Sequence, residues 1–124
     1  MSGEMTKAGV TPEQLPGFLK ELSQLGRLQV EGLMTMAPPA RDPEASRAVF
    51  RRLRTLSEEV AADFPQTHIH QLSMGMSQDY AVAVEEGATI VRVGQAIFGP
   101  RAEGGHIRRP RDYEGVVTDR RTGE

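Results

Sequence analysis

The first apolar positions of the chain recur at the three- and four-residue spacing of an amphipathic helix. They are Leu15, Phe18, Leu19 and Leu22. Thr11 suits the N-cap position and Pro12 the first helical position, and Gln14 lies three residues after Thr11, as in a capping box. Gly26 is a suitable end. We therefore predict a helix that begins after Thr11 and ends before Gly26.

A strand pattern follows, because the next segment alternates between apolar and polar positions. Its apolar face would carry Leu28, Val30, Gly32, Met34 and Met36. Pro38 and Pro39 cannot donate to a hydrogen-bonded ladder and would end the strand. The pattern therefore predicts a strand over Leu28–Met36 with one apolar face.

A second helix is predicted to begin at Asp42, a suitable N-cap, with Pro43 in its first turn, and to end before Pro65. Its buried stripe would consist of Val49, Leu53, Leu56 and Val60. The opposite side carries Arg47, Arg51 and Arg54. Such a row could bind nucleic acid, but no aromatic residues interleave with the arginines, so we interpret it as a solvated helix face.

The second half of the chain is predicted to contain two short strands with a helix between them. The strands are His68–Ser73, which Gly75 would break, and Thr89–Val93. Ser77 is a suitable N-cap for the helix, which would extend to residue 86. The acidic pair at its end, expected to be surface charges, is Glu85 and Glu86.

These elements alternate strictly between helix and strand along the chain. Such alternation indicates an α/β fold with parallel strands, built here from three βα units. Three strands are too few for a closed (β/α)8 barrel, which needs eight strands and roughly 200 residues or more. We therefore expect residues 1–100 to be a portion of a barrel, or a unit that needs a partner to cover its open sheet edges.

Composition and charge exclude several classes of function. The net charge of −2 gives no reason to expect nucleic-acid binding, and the absence of cysteine excludes disulfides and thiolate metal sites. No apolar run approaches the ~20 residues of a membrane span, and Met1–Val10 lacks the apolar core of a signal peptide. We therefore expect a cytoplasmic protein. Arg101–Glu124, which is rich in charged residues and glycine, is predicted to be a disordered tail.

Two segments carry the candidate chemistry, and the first is LSMGMSQD, from Leu72 to Asp79. A strand is predicted to end there, Gly75 permits a tight turn, and a helix follows. Helix N-termini present unpaired amides and the positive end of the dipole, and Ser73 and Ser77 would add hydroxyl donors. The segment suits a phosphate dianion, although a serine N-cap after a strand is common by itself.

The second segment is Val91–Gly99, in which Arg92 lies between two valines near the end of a strand. If the valines pack against helices, Arg92 points into the barrel. A buried arginine needs an acceptor, which could be a carboxylate or a ligand. The amides of Gly94 and Gln95 could complete an anion-binding nest. Two adjacent phosphate loops after the last strands match the place where barrels bind phosphate.

Together with two upstream stretches, these segments resemble the pyridoxal-phosphate (PLP) homeostasis proteins, which share a fold with the N-terminal domain of alanine racemase. The similar stretches are LSMGMSQDYAVAVEEGATIVRVGQAIFG, LQVEGLMTMAPP followed by FRRLRTL, and the opening SGEMTKAGV. They span about residues 2–100. The resemblance implies the C-terminal portion of a PLP-binding (β/α)8 TIM barrel and a non-catalytic protein of vitamin B6 homeostasis.

The resemblance also implies a role for each matching position. Arg92 would face the pyridine nitrogen of PLP and keep it unprotonated, which weakens the cofactor as an electron sink. Ser77, Gly94 and Gln95 would hold the phosphate, the last two through their backbones, and Ser73 would be a further member of this set. Many relatives carry a small hydroxyl residue at the position of Gln95, so one side-chain donor would be lost here.

The Schiff-base lysine of that family lies in the N-terminal half of the barrel, and this sequence does not include that half. The lysines present, Lys7 and Lys20, do not match it. We therefore expect non-covalent binding of PLP or phosphate, no catalytic residues, and sheet edges covered by the missing N-terminal half or by self-association.

Two alternatives to this reading remain, and a metal site is a weaker possibility. The alternatives are a fragment of a PLP-dependent amino-acid racemase and a half-barrel interaction module without a cofactor. His68 and His70 lie two residues apart on a predicted strand and could share a metal ion. Because no third ligand has suitable spacing, we interpret them as structural or solvent-facing.

Overall fold

The computed structural model describes residues 9–100, in which helices alternate with strands. The helices are α1 (Leu15–Ser23), α2 (Arg47–Asp63), α3 (Tyr80–Glu85) and α4 (Gln95–Phe98). The strands are β1 (Gly32–Met34), β2 (Gln71–Met76) and β3 (Ile90–Arg92), and 3-10 turns occur at Pro43–Ser46 and Pro65–Thr67. The predicted tail, Arg101–Glu124, and Lys7 lie outside the described residues.

The chain divides into two units, Met1–Gly94 and Gln95–Glu124. The described part of the first unit holds the three strands and α1 to α3, and that of the second holds α4. The domain boundary after residue 100 stays a prediction. None of the helices in residues 9–100 is long and apolar enough to cross a membrane.

The three strands form one sheet in the order β1, β2, β3, and both pairings are parallel. This confirms the predicted α/β fold with parallel strands. Met34 of β1 pairs with Ser73 of β2, and Ser73 pairs in turn with Ile90 of β3. An irregularity then shifts the register, so that Met76 pairs with Arg92 at the ends of β2 and β3.

The burial predicted for the apolar face of the first strand is wrong for Leu28 and Met34, although Val30 packs against the second cluster, and the strand is shorter than predicted. Met34 is 58% exposed, and Leu28 is exposed as well. Leu33, from the opposite face, packs against both hydrophobic clusters of the protein. Alternation along a strand separates two faces, but only the position of the helices decides which face is covered.

Two clusters of buried side chains form the core between the sheet and its helices. The first, on α2, β2 and α3, consists of Phe50, Leu53, Leu72, Met74, Val82 and Ala83. The second consists of Leu15, Leu19, Val60 and Ile69. Leu53 and Val60 were predicted to be buried, but Phe50, which is fully buried, lay outside the predicted stripe.

The start signals of the first two helices are confirmed in their geometry. The amide of Thr11 donates to Oε1 of Gln14 at 3.1 Å, and the amide of Gln14 donates to Oγ1 of Thr11 at 3.2 Å, which makes the predicted capping box. Asp42 accepts a hydrogen bond from the amide of Glu44 at 3.0 Å. Regular helix begins later than predicted in both cases, after a turn and after a 3-10 turn respectively.

Strand β2 continues through Gly75, which was expected to break it. Gly75 has a φ of +101°, a conformation that residues with a Cβ rarely adopt. A Cβ at this position would lie 2.7 Å from the Cβ of Ala83. The glycine therefore lets α3 pack closely against the strand instead of ending it.

The prediction of surface charge is wrong for Glu86, which is only 4% exposed and binds the arginines of α2, whereas the side chains of Glu85 and Arg51 are 61% and 59% exposed. Its carboxylate lies 3.1 Å from Nη1 of Arg47, 2.8 Å from Nη2 of Arg51 and 3.2 Å from Nη1 of Arg54. Hydrogen bonding from Arg51, reinforced by Arg47, lowers the pKa of Glu86 to about 2 although burial opposes that shift. The arginine row thus ties α2 to the end of α3.

Candidate phosphate and cofactor site

The C-terminal ends of parallel strands meet at one edge of the sheet, and the candidate site lies at this edge. Because Met76 pairs with Arg92, the turn that follows β2 and the segment that follows β3 leave the sheet side by side. The first carries Ser77 and the second carries Gly94. The register therefore brings Ser77, Arg92 and Gly94 to the same edge.

Arg92 reaches across the middle strand of the sheet to the end of β1. Its Nη2 donates a hydrogen bond to the backbone oxygen of Thr35 at 2.8 Å. Thr35 is 4% exposed, and its amide donates to the backbone oxygen of Ser73 at 3.1 Å. The acceptor for Arg92 is thus a neutral carbonyl, which does not compensate the positive charge of the guanidinium.

Two buried polar atoms near this edge have no hydrogen-bond partner. Among residues 9–100, Nε of Arg92 and Oγ1 of Thr35 are the buried side-chain polar atoms in this state. Buried donors are nearly always satisfied in native proteins, so each exception needs an explanation. An acceptor supplied by a ligand would satisfy Nε, because the guanidinium is always protonated and can only donate.

Ser77 does not cap α3, so its predicted role as N-cap is wrong. It lies in the turn between β2 and α3, and the N-cap position belongs to Asp79. One carboxylate oxygen of Asp79, Oδ1, accepts from the amide of Met76 at 2.8 Å. The other, Oδ2, accepts from Oγ of Ser46 at 3.0 Å. The turn is therefore shaped by a carboxylate, and Ser77 remains inside it.

The other predicted site residues differ in where the structure places them. Ser73 lies within β2, three residues before its end. Gly94 is exposed, and a Cβ built on it would meet nothing within 4 Å, so the backbone there is open to a ligand. Gln95 begins α4 in the second unit, and its contact with a phosphate stays a prediction.

Three residues of this region, Thr35, Asp79 and Ser46, were not singled out from the sequence. Asp79 carried a usable signal, because aspartate just before a helix is a common N-cap. Thr35 carried none, because it contacts Arg92 through its backbone oxygen, which every residue type possesses. Ser46 could be found only from the three-dimensional contact.

An apolar cavity of about 410 Å³ lies among α1, β1 and α2. Met34 and Met36 are among its lining side chains, with Phe18, Leu22 and Leu56. Arg92 and Ser77 are not among them, but Thr35, which accepts the hydrogen bond from Arg92, is.

The two histidines, His68 and His70, contact each other. Nδ1 of His70 lies 2.5 Å from the backbone oxygen of His68, and His68 has a φ of +53°. Within residues 9–100, no three side chains of His, Asp or Glu form a group that could hold a metal ion.

Residues 2–102 match the family model described as alanine racemase, N-terminal domain. The chain is also similar to curated proteins named pyridoxal phosphate homeostasis protein. It is 46% identical to that of Aquifex aeolicus over 101 residues, which are 82% of this chain and 44% of the relative. The protein of Vibrio cholerae is 44% identical over 100 residues, covering 81% of this chain and 42% of the relative.

Two solved structures of one protein are also similar to this chain. PipY of Synechococcus elongatus without PLP superposes with a TM-score of 0.71 at 43% identity, covering 77% of this chain and 45% of PipY. PipY with PLP bound gives a TM-score of 0.70 at 43% identity, covering 75% and 44%. The chain thus spans less than half the length of these relatives.

Proposed function

We propose that this chain, which belongs to the family of alanine racemase N-terminal domains, is the C-terminal portion of a PLP-binding barrel and supplies its phosphate and pyridine-nitrogen contacts. Its biological role would be vitamin B6 homeostasis in the cytoplasm, without catalysis. The names of its relatives and the PLP bound to PipY support this proposal.

The buried, unpartnered Nε of Arg92 carries the proposal. Leaving a buried donor without an acceptor costs about 1–3 kcal/mol, and a pyridine nitrogen would remove that cost. PLP supplies an electron sink whose strength depends on a protonated ring nitrogen. Since an arginine does not give up its proton, Arg92 would hold that nitrogen unprotonated, which suits storage of the cofactor better than catalysis.

The phosphate would bind at the same edge of the sheet. The turn that carries Ser77 and the open backbone at Gly94 are adjacent in register. Ser73, which lies farther from the strand end, would contribute less. Gln95 belongs to the second unit, and its part in holding the phosphate stays a prediction from the sequence. Without the family's lysine, the expected binding is non-covalent.

The test uses pyridoxine 5′-phosphate, because this vitamer has no aldehyde and cannot react with Lys7 or Lys20. Titration calorimetry on the full chain should show binding. Arg92→Ala and Ser77→Ala should each weaken it roughly tenfold or more, the size of one lost hydrogen bond to a charged group. Arg52→Ala, at an exposed arginine of α2, is the matched control and should bind as wild type does.

The proposal fails if the wild-type chain does not bind pyridoxine 5′-phosphate. The assignment of the site fails if the wild-type chain binds but Arg92→Ala and Ser77→Ala leave the affinity unchanged. Circular dichroism of each variant shows that a lost affinity is not a lost fold.

Self-association without a cofactor is a second candidate function, and an exposed apolar sheet face favours it. Met34 and Ile90 both pair with Ser73 and therefore share one face of the sheet, where both are largely exposed. A molar mass in solution that rises with protein concentration, and that does not change when pyridoxine 5′-phosphate is added, would support this candidate. The family match also keeps a racemase fragment open, and racemisation of alanine by the intact gene product would support it.

A further inference from the structure

The carboxylate of Asp79 joins two parts of the chain that are 33 residues apart in sequence. Oδ1 accepts from the amide of Met76 at 2.8 Å, and Oδ2 accepts from the hydroxyl of Ser46 at 3.0 Å. The amide of Asp79 also donates to the backbone oxygen of Met76 at 3.1 Å, which closes the turn. Ser77 lies inside this closed turn.

Ser46 is a fixed anchor for this carboxylate. It is 3% exposed and lies at the junction between the 3-10 turn and α2. Hydrogen bonds to an ionised carboxylate are stronger than those between neutral groups, and more so away from water. The turn after β2 is therefore held to the start of α2 by a bond that solvent does not readily replace.

Packing alone does not hold the turn in place. A small cavity of about 100 Å³ separates the loop after β1 from the turn after β2, and Pro38, Ser46, Met76 and Asp79 are among the residues that line it. Since the side chains there leave space, the two hydrogen bonds of Asp79 add to the strand pairing and the backbone contacts that hold the turn. A carboxylate would repel a bound phosphate if it were a direct ligand, but both oxygens of Asp79 are engaged by donors.

We propose that Asp79, anchored by Ser46, is a positioning residue that fixes the turn carrying Ser77 for the phosphate monoester of the ligand. This inference rests on the proposed function, because it takes the turn to be the phosphate site. Asp79 acts only on the position of the turn, whereas Arg92 would contact the pyridine ring. Its loss should therefore weaken binding of the phosphate group and spare binding of the ring.

The test compares two ligands, pyridoxine 5′-phosphate and pyridoxine, which differ by the phosphate alone. The quantity measured is the ratio of their affinities, by calorimetric competition on the full chain. Asp79→Ala should lower the ratio roughly tenfold, and Ser46→Ala should lower it by a smaller factor. Asp79→Asn, which keeps an acceptor for the amide of Met76, should restore much of the ratio. Asp63→Asn, at an exposed acid that ends α2, should leave it unchanged.

A merely structural role would lower both affinities together and leave their ratio as in wild type, and this result would overturn the inference. If Asp79→Ala does not fold by circular dichroism, the milder Ser46→Ala and Asp79→Asn variants decide the question. A wild-type chain that binds neither ligand would overturn the proposed function as well. A wild type that prefers the phosphorylated ligand, with an unchanged ratio in the variants, overturns the positioning role alone.

Discussion

Nη2 of Arg92 donates to the backbone oxygen of Thr35 across the full width of the described sheet, at 2.8 Å. The contact joins the ends of β1 and β3 and passes over β2. It holds the guanidinium at the candidate site while Nε stays without a partner. An arginine that is oriented before the ligand arrives loses less conformational freedom on binding.

Replacing Thr35 by valine tests the second unpartnered atom at this edge. Valine has the shape of threonine without the hydroxyl, and Oγ1 of Thr35 is buried without a partner. We expect the free energy of unfolding of the unliganded chain to stay unchanged or to rise by up to about 1 kcal/mol, because an unsatisfied polar group is removed. Urea denaturation measures it, with Thr35→Ser as the control that keeps the hydroxyl. A clear loss of stability in Thr35→Val would mean that the hydroxyl is satisfied in solution.

Truncation of Phe50 should remove a large part of the core. Its side chain is fully buried between α2, β2 and α3. Phe50→Ala is expected to cost about 3–5 kcal/mol, which is comparable with the whole stability of a small domain. Thermal unfolding followed by circular dichroism should therefore show little or no cooperative transition. Val49→Ala, at the half-buried neighbour, should keep the transition, and equal losses in the two variants would contradict the burial of Phe50 in the core.

Two glycines should respond to alanine in opposite directions. At Gly75, the positive φ and the 2.7 Å approach to Ala83 make Gly75→Ala destabilising, by more than about 1 kcal/mol. Gly17 lies within α1, and a Cβ there would meet nothing within 4 Å. Gly17→Ala should therefore stabilise the chain by up to about 1 kcal/mol, since alanine is the better helix former. Urea denaturation of both variants checks the pair, and a tolerated Gly75→Ala would contradict the close packing of α3.

Stability should fall in acid because of Glu86. Its pKa is about 2 in the folded chain and near 4.5 when unperturbed, so the unfolded state binds the proton more readily. The stability from this carboxylate is therefore fully present above about pH 4.5 and is lost as the pH falls from there towards 2. The melting temperature of Glu86→Gln should be lower than that of wild type at pH 7, and the difference should shrink towards pH 3. A difference that is constant with pH would contradict the arginine contacts.

The sequence by itself determined the alternation of elements, and with it the parallel α/β fold. The capping box of Thr11 and Gln14 and the cap at Asp42 could be predicted because they are local, between residues two or three apart. The position of Arg92 at the end of a strand could also be predicted, because it follows from the residues next to it in the sequence.

Tertiary structure alone decided the features that depend on contacts between distant elements. Helix placement, not alternation, determined that Leu33 and not Met34 faces the core. The burial of Glu86 depends on three arginines more than 30 residues away, and no local pattern distinguishes it from a surface carboxylate. The contact of Arg92 with Thr35 is made by a backbone oxygen, which is present at every position. Its partner therefore becomes known only when the strands are side by side.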